Sequence, residues 1–119
     1  MTHKILIIAR SAPYGSSLAR EGLDYVLTSA AYDQDICLLF LGDGIFQLLK
    51  GQQPKQINLK SQIGAMEILP LYDIEDLFVV EEDLIERNID TKDLGMKVVS
   101  IKRAEVSQLI NSQHKVLSF

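Results

Sequence analysis

The chain has 119 residues, with 12 Lys and Arg against 16 Asp and Glu, and 47% of its residues are hydrophobic. This length predicts one domain over residues 1–119, large enough to bury a core without disulfides or metals. The formal net charge of −4 argues against a simple nucleic-acid clamp, because such proteins cluster Lys and Arg to displace counterions. A lone cysteine, Cys37, excludes an internal disulfide and a four-cysteine zinc site.

No stretch of the sequence predicts a membrane span or a secretory leader. The longest uncharged apolar stretch, ICLLFLG, falls far short of the roughly 20 residues that a spanning helix needs. The short apolar run near the N-terminus ends at a charge, Arg10. We therefore expect a soluble, cytoplasmic protein with no membrane contact, no metal and no cofactor.

The first half of the chain alternates strand and helix signals. Residues 4–9 (KILIIA) and 36–41 (ICLLFL) are continuous apolar runs, typical of strands that are covered on both faces. Between them, Ser11–Ser17 has the composition of a turn, and a helix over about 17–31 carries apolar residues on one face. Ser16 or Ser17 is the expected cap of that helix.

The second half continues the alternation. Asp43 is the expected N-cap of a short helix after the second strand. Further signals predict a polar loop, three helices and three strands, in chain order: loop 50–60, helix 61–69, strand 77–80, helix 81–87, strand 97–101, helix 103–112 and strand 115–119. The pattern predicts an α/β fold: an open sheet of about five mostly parallel strands, helices on both faces, and a flavodoxin-like strand order.

Ligands of such sheets bind at the carboxyl ends of the strands. Here those ends are Arg10–Gly15, Gly42–Gly44 and Val80–Glu82. The segment 73–93, which includes the third end and is expected to lie on the same side of the sheet as Val80, holds nine acidic and two basic residues, a formal charge of −7. It is interpreted either as a solvated acidic face or as a docking surface for a basic partner.

Motifs for nucleotide and flavin binding are incomplete. Gly42-Asp43-Gly44 matches two glycines of a dinucleotide fingerprint, but Gln47 stands at the third glycine position, and the motif follows the second strand. The loop Ser11–Ser17 resembles a phosphate cradle, with Tyr14 or Tyr72 as stacking rings for a flavin. The alternative is that both segments are ordinary turns.

No catalytic set is evident. Cys37 lies inside an apolar strand, where a cysteine is more often a core residue than a nucleophile, so it is only a weak catalytic candidate. His3 and His114 adjoin strand ends as solvated edge residues, and no GxSxG motif is present. The chain therefore fits a domain that works as part of an assembly.

Three motifs show a resemblance to the TusC/DsrF family of sulfur-relay subunits, in the DsrE/DsrF/DsrH-like superfamily. They are AP-x-G after the first strand, REG-L-D in the first helix, and DG-x-x-QLL-x-GQ-x-P after the second strand. LYDIEDLFV (71–79) and the closing strand also fit, so the resemblance covers essentially the whole chain.

The resemblance implies a heterohexamer with TusB-like and TusD-like subunits. Such a complex passes persulfide sulfur to TusE for 2-thiouridine formation at the tRNA wobble position, without direct tRNA contact by this chain. The related DsrEFH-type complex passes sulfur to DsrC in sulfur oxidation, and the sequence leaves this alternative open. An independent persulfide carrier using Cys37, or a flavin module, are the further alternatives.

The superfamily carries its transferring cysteine where the third strand meets the next helix. The resemblance places Val80 at that position, which implies a non-catalytic, structural subunit. We predict that the edge or a subunit contact is shaped by seven residues: Tyr14, Gly15, Asp43, Gly44, Gln47, Val80 and Glu81.

Overall fold

A computed structural model describes residues 3–32, 34–50 and 66–119. The described strands are β1 (Lys4–Ala9), β2 (Asp35–Phe40), β3 (Asp76–Val80), β4 (Val99–Ile101) and β5 (Lys115–Ser118). The described α-helices are α1 (Leu18–Ala30), α2 (Glu81–Glu86) and α3 (Val106–Asn111). Short 3₁₀ helices cover Gly42–Leu48, Leu69–Tyr72, Thr91–Asp93 and Arg103–Glu105. Predicted loop residues 51–60 and the first part of the predicted helix 61–69 lie outside the described residues.

The five strands form one parallel sheet in the order β4-β3-β2-β1-β5. The α/β class and the mostly parallel sheet are therefore confirmed. The flavodoxin-like order is wrong, because that order places β1 between β2 and β3, whereas here β1 lies between β2 and β5. Apolar patterning predicts a buried strand but does not encode the direction in which each crossover runs.

Two apolar layers cover the sheet, as predicted. On one face, Leu23 and Val26 of α1 and Leu84 of α2 pack with the larger core, together with the 3₁₀ helix Gly42–Leu48. On the other face, α3 packs over a smaller cluster that includes Cys37. Because β2 lies at the centre, its last five residues are buried, which explains its continuous apolar run.

The position of α3 follows from the last crossover. The chain must travel from β4, at one end of the sheet, to β5, at the other end, so α3 crosses the face that the earlier helices leave open. The switch point of the sheet therefore lies between β1 and β5. This point is closed by the chain itself, because the Arg10 N–H donates to the Phe119 carbonyl (2.9 Å) and the Phe119 ring packs against Tyr25 of α1.

Candidate functional site

The carboxyl ends of β1, β2 and β3 meet at one edge of the sheet, as predicted. We call this region, which comprises residues 9–15, 42–47 and 80–83, the strand-end edge. Gly44 lies directly against the end of β1: a Cβ there would approach the Ala9 carbonyl carbon to 2.5 Å and overlap its oxygen. Only glycine fits this approach, which explains the second glycine of the Gly42-Asp43-Gly44 motif by packing rather than by phosphate binding.

Gln47 ties the 3₁₀ helix after β2 to the loop after β1. Its side chain is 3% exposed, and its Nε2 donates to the Ser11 carbonyl at 2.7 Å. A buried amide that satisfies a loop carbonyl holds that loop in one conformation, because breaking the bond would leave a buried polar group unpaired. The edge between β1 and β2 is therefore a fixed surface.

A buried carboxylate, Asp83, connects β2, β3 and β4 at the strand-end edge. Its Oδ2 accepts from the Gly42 N–H at 2.7 Å, and its Oδ1 accepts from the Arg103 guanidinium. Burial by itself raises the pKa of Asp83, but the bonds from Gly42 and Arg103 outweigh it and hold the pKa below its ordinary value. Asp83 is therefore the charged centre around which three loops are arranged.

Two further ionic contacts surround Asp83. The Arg87 Nη2 lies 3.0 Å from Asp43 Oδ1, so Asp43 pairs with a side chain of the next crossover. The prediction that Asp43 caps the helix after β2 is wrong, because the N-cap of the 3₁₀ helix Gly42–Leu48 is Leu41. The Glu81 Oε2 lies 2.9 Å from Lys102 Nζ, and this hydrogen bond raises the pKa of Lys102. These contacts join α2 to its neighbours on both sides.

The structure brings together five of the seven predicted residues. Asp43 and Glu81 belong to the ion-pair network around Asp83. Gln47 and Gly44 instead contact the end of β1 and the loop after it. Val80 is fully buried at the end of β3.

The two other predicted residues, Tyr14 and Gly15, lie on the same edge in the loop after β1, outside that network. Tyr14 is 49% exposed. Gly15 has φ +89° with open space around it, so it serves the turn alone. Tyr14 is thus an exposed aromatic side chain at this edge.

Sequence reasoning missed the residues that hold the edge together, namely Asp83, Arg87 and Arg103. One signal was present: α2 has three acids in its first turn, and one of them, Asp83, must face inward on a short helix that lies against the sheet. No sequence pattern indicated that Arg103, which follows β4, would reach it, because that contact spans two crossovers.

The acidic segment 73–93 is not one face. Asp73 and Glu75 precede β3 and so lie toward the amino ends of the strands, whereas the acids of α2 lie at the strand-end edge. Basic side chains also pair with α2 acids, Lys102 with Glu81 and Arg103 with Asp83. Glu82 accepts from the backbone N–H of Arg103 at 2.8 Å, and this bond lowers the pKa of Glu82. The expectation that the whole segment shares the side of Val80 is therefore wrong.

The thiol of Cys37 is far from the strand-end edge and poorly suited to chemistry. It lies in the first half of β2, is 7% exposed, and contacts the Gln113 side chain (Sγ to Oε1, 3.7 Å). Burial, with a smaller contribution from Asp76 and Asp35, raises the pKa of Cys37 to about 12. A covered thiol with a raised pKa is a weak nucleophile, because the thiolate is the reactive form.

The structure does not bring together Tyr14 and Tyr72, the two rings considered for a flavin. Tyr14 follows β1 and Tyr72 precedes β3, so one ring lies at the carboxyl ends of the parallel strands and the other at their amino ends. Phe119 fills the switch point. No group of three His, Cys, Asp or Glu in residues 3–32, 34–50 and 66–119 is arranged to hold a metal ion. Over the same residues, no helix has both the length and the apolar character needed to cross a bilayer.

A model of the DsrE/DsrF-like family matches residues 3–119. The chain belongs to this family. Curated relatives named "Protein TusC homolog" cover 98% of the chain: the one from Vibrio parahaemolyticus is 38% identical over 116 residues (98% of that protein), and the one from Pasteurella multocida is 36% identical over 118 residues (99%). The resemblance to TusC/DsrF subunits is confirmed.

Solved structures agree with the fold. The ychN protein from E. coli superposes with a TM-score of 0.82 at 27% identity, covering 99% of this chain and all of that one. A protein of unknown function from Methanobacterium thermoautotrophicum gives a TM-score of 0.71 at 14% identity over the full length of both chains, which supports the fold alone. The sheet order found here is therefore that of a DsrE-like domain.

Proposed function

We propose that this chain is a non-catalytic, structural subunit of a TusBCD-type sulfur-relay complex. TusB-like and TusD-like subunits complete a cytoplasmic heterohexamer, which passes persulfide sulfur to a TusE-like acceptor for 2-thiouridine formation at the tRNA wobble position. Family membership and the TusC homologs support the relay assignment. The tRNA destination and the hexamer are part of the proposal.

The observation that carries the proposal is the state of the chain's lone thiol. In persulfide transfer, an acceptor thiolate attacks the outer sulfur of the donor persulfide, the S–S bond breaks, and the donor leaves as a thiolate without net oxidation. The acceptor must therefore be ionised and accessible. Cys37 is 7% exposed, and its pKa is raised to about 12, so it meets neither requirement.

The strand-end edge supports a contact role instead. Val80, at the position that the resemblance assigns to the transferring cysteine, is an alkyl side chain buried under the edge. Asp83 and Gln47 hold the surrounding loops rigid, while Tyr14 remains exposed at the surface. A preorganised surface with one exposed aromatic is typical of a protein contact, because little entropy is lost when it binds.

Co-expression with the TusB-like and TusD-like chains of the same genome tests the assembly. Native mass spectrometry is expected to find one species that contains all three chains. Tyr14→Ser should weaken the assembly, whereas Tyr32→Ser, which alters another exposed tyrosine (73%) away from the edge, should not. Failure of the three chains to co-purify would count against the proposal.

Sulfur transfer tests the absence of catalysis by this chain. In the purified complex, Cys37→Ser should leave the rate of persulfide transfer to the TusE-like acceptor unchanged. Loss of transfer in that variant would favour the carrier alternative. Offering a DsrC-like acceptor in the same assay distinguishes the tRNA branch from sulfur oxidation, since the preferred acceptor identifies the branch.

A further inference from the structure

The two histidines of the chain meet at the amino ends of β1 and β5. The His3 and His114 rings are 5.4 Å apart, centre to centre, in an edge-to-face arrangement. His114 also makes two hydrogen bonds to the backbone of Lys4. Its N–H donates to the Lys4 carbonyl at 2.8 Å, and its ring Nδ1 accepts from the Lys4 N–H at 2.8 Å. We call these two bonds between His114 and Lys4 the His114 contact.

The bond to Nδ1 fixes the protonation state of the His114 ring. A backbone N–H can only donate, so Nδ1 must present a lone pair, and the neutral ring carries its proton on Nε2. A further proton binds at Nδ1, because it is the ring nitrogen that is still unprotonated. Protonation therefore places two donors face to face, and the bond from the Lys4 N–H is lost. Histidine side chains gain this proton between about pH 8 and 5.

The charged groups around the His114 contact nearly balance one another. Residues 106–113, which form α3 and the turn after it, are uncharged. The charged and titratable neighbours from the strands are two lysines, two aspartates, a histidine and a thiol: Lys4, Lys115, Asp35, Asp76, His3 and Cys37. The response of this region to pH is therefore set by the hydrogen bond at Nδ1 rather than by a net surrounding charge. His114 is exposed, so protons reach the ring from solvent.

The His114 contact anchors the segment that covers the thiol of Cys37. Residues 112–114 connect α3 to β5, and within this connection the Gln113 Oε1 lies 3.7 Å from the Cys37 Sγ. The two side chains line one cavity of about 130 Å³, together with Lys4 and Leu109. Because Gln113 adjoins His114 in the chain, release of His114 allows Gln113 to move away from the thiol. The bond at Nδ1 thereby controls access to Cys37.

The carboxyl end of β5 is held by bonds that do not depend on histidine. The Phe119 N–H donates to the Ile8 carbonyl at 2.9 Å, and the Arg10 Nε donates to the Ser118 Oγ at 2.7 Å. None of these groups changes its charge between pH 5 and 8. Loss of the His114 contact therefore frees the amino end of β5 while the switch point beside Phe119 stays closed.

We propose that protonation of His114 releases the amino end of β5 and exposes the thiol of Cys37. The His114 contact is thus a pH-sensitive cover over the lone cysteine: it is complete when the ring is neutral and is lost as the pH falls. The change is reversible, since one proton binds at Nδ1 and one hydrogen bond is lost. The proposal concerns this chain by itself and does not depend on the relay assignment.

Thiol labelling of the full chain tests the cover. A pyridyl disulfide reagent is added at about pH 7.5 and about pH 5.5, and the rate for the folded chain is divided by the rate in urea at the same pH. The thiol is mostly protonated in both samples, so the fall in thiolate content with pH cancels from this ratio. The ratio should rise by about three-fold or more at the lower pH, as expected for the loss of one hydrogen bond.

Three variants assign the rise to the Nδ1 bond. His114→Asn places an amide oxygen where Nδ1 was and does not titrate, so its ratio should stay low at both pH values. His114→Ala removes the acceptor, so its ratio should be high at both. The matched control is His3→Gln, which removes the other histidine and leaves the acceptor in place; the rise at the lower pH should remain.

Nuclear magnetic resonance follows the bond itself. The amide proton signal of Lys4 should move as the pH falls from 8 to 5 in the native chain and stay nearly constant in His114→Asn. A labelling ratio of the native chain that does not change with pH would overturn the proposal. So would an equal rise in His114→Asn, or a ratio in His114→Ala as low as that of the native chain at pH 7.5.

Discussion

Replacing Asp83 with alanine is expected to be the most damaging single change at the strand-end edge. Asp83 is 3% exposed, and it joins three crossovers through Gly42, Arg103 and Arg87. Removing its carboxylate leaves the Gly42 N–H without its acceptor at a position between two strands. It also removes one of the contacts between the end of β4 and α2, the bond to Arg103, while the bonds from Lys102 to Glu81 and from the Arg103 N–H to Glu82 remain.

The contacts set the expected size of the effect. An orphaned backbone N–H costs about 1–3 kcal/mol. The lost charge-assisted bond adds only about 1 kcal/mol, because water can replace the carboxylate at a guanidinium that is 53% exposed. Asp83→Ala should therefore lower the free energy of unfolding by about 2–4 kcal/mol and the melting temperature by roughly 10 °C.

Urea unfolding followed by circular dichroism at pH 7 measures this loss. Asp83→Asn keeps an oxygen for the Gly42 N–H and should lose about half as much as the alanine variant. The control is Glu86→Ala, because Glu86 is 66% exposed and its carboxylate lies 3.6 Å from Arg87; it should change stability by less than about 0.5 kcal/mol. If Asp83→Ala costs no more than Glu86→Ala, Asp83 does not organise the edge.

Three further predictions concern other positions. The folded-state pKa of Asp83 is lowered, so its carboxylate contributes fully to the free energy of unfolding above the unfolded pKa of about 3.9. This contribution is lost as the pH falls through the folded-state pKa. In urea titrations, the difference in stability between the native chain and Asp83→Asn should therefore shrink below about pH 4. Gly44→Ala should cost about 2 kcal/mol or more because its methyl group meets the Ala9 carbonyl, whereas Gly15→Ala, which has open space but φ +89°, should cost only about 1 kcal/mol; equal losses in thermal melts would contradict this account. Iodoacetamide at pH 8 should label Cys37 roughly a thousand-fold more slowly in the native chain than in urea, and comparable rates by mass spectrometry would show that the thiol is accessible.

Several features of the fold and the site were predictable because they depend on local patterns. Continuous apolar runs identified β1 and β2, and the alternation of strands with helices predicted a parallel sheet with its functional loops at one edge. The motif Gly42-Asp43-Gly44 marked a tight turn. Glycine is required at position 44 because Gly44 approaches the Ala9 carbonyl. This contact could not be predicted, because it joins the segment after β2 to the end of β1.

The sequence by itself determined the class of fold, the family through long motifs, and the presence of a single thiol in an apolar strand. Only the tertiary structure decided the strand order, because crossover direction leaves no trace in apolar patterning. The same holds for the charges: acids that are neighbours in the segment 73–93 separate to opposite edges, since a strand lies between them. A count of charges along the sequence does not give the charge of a surface, because the folded chain pairs some acids with its own bases. Here Arg87 and Arg103 both form ion pairs with Asp83.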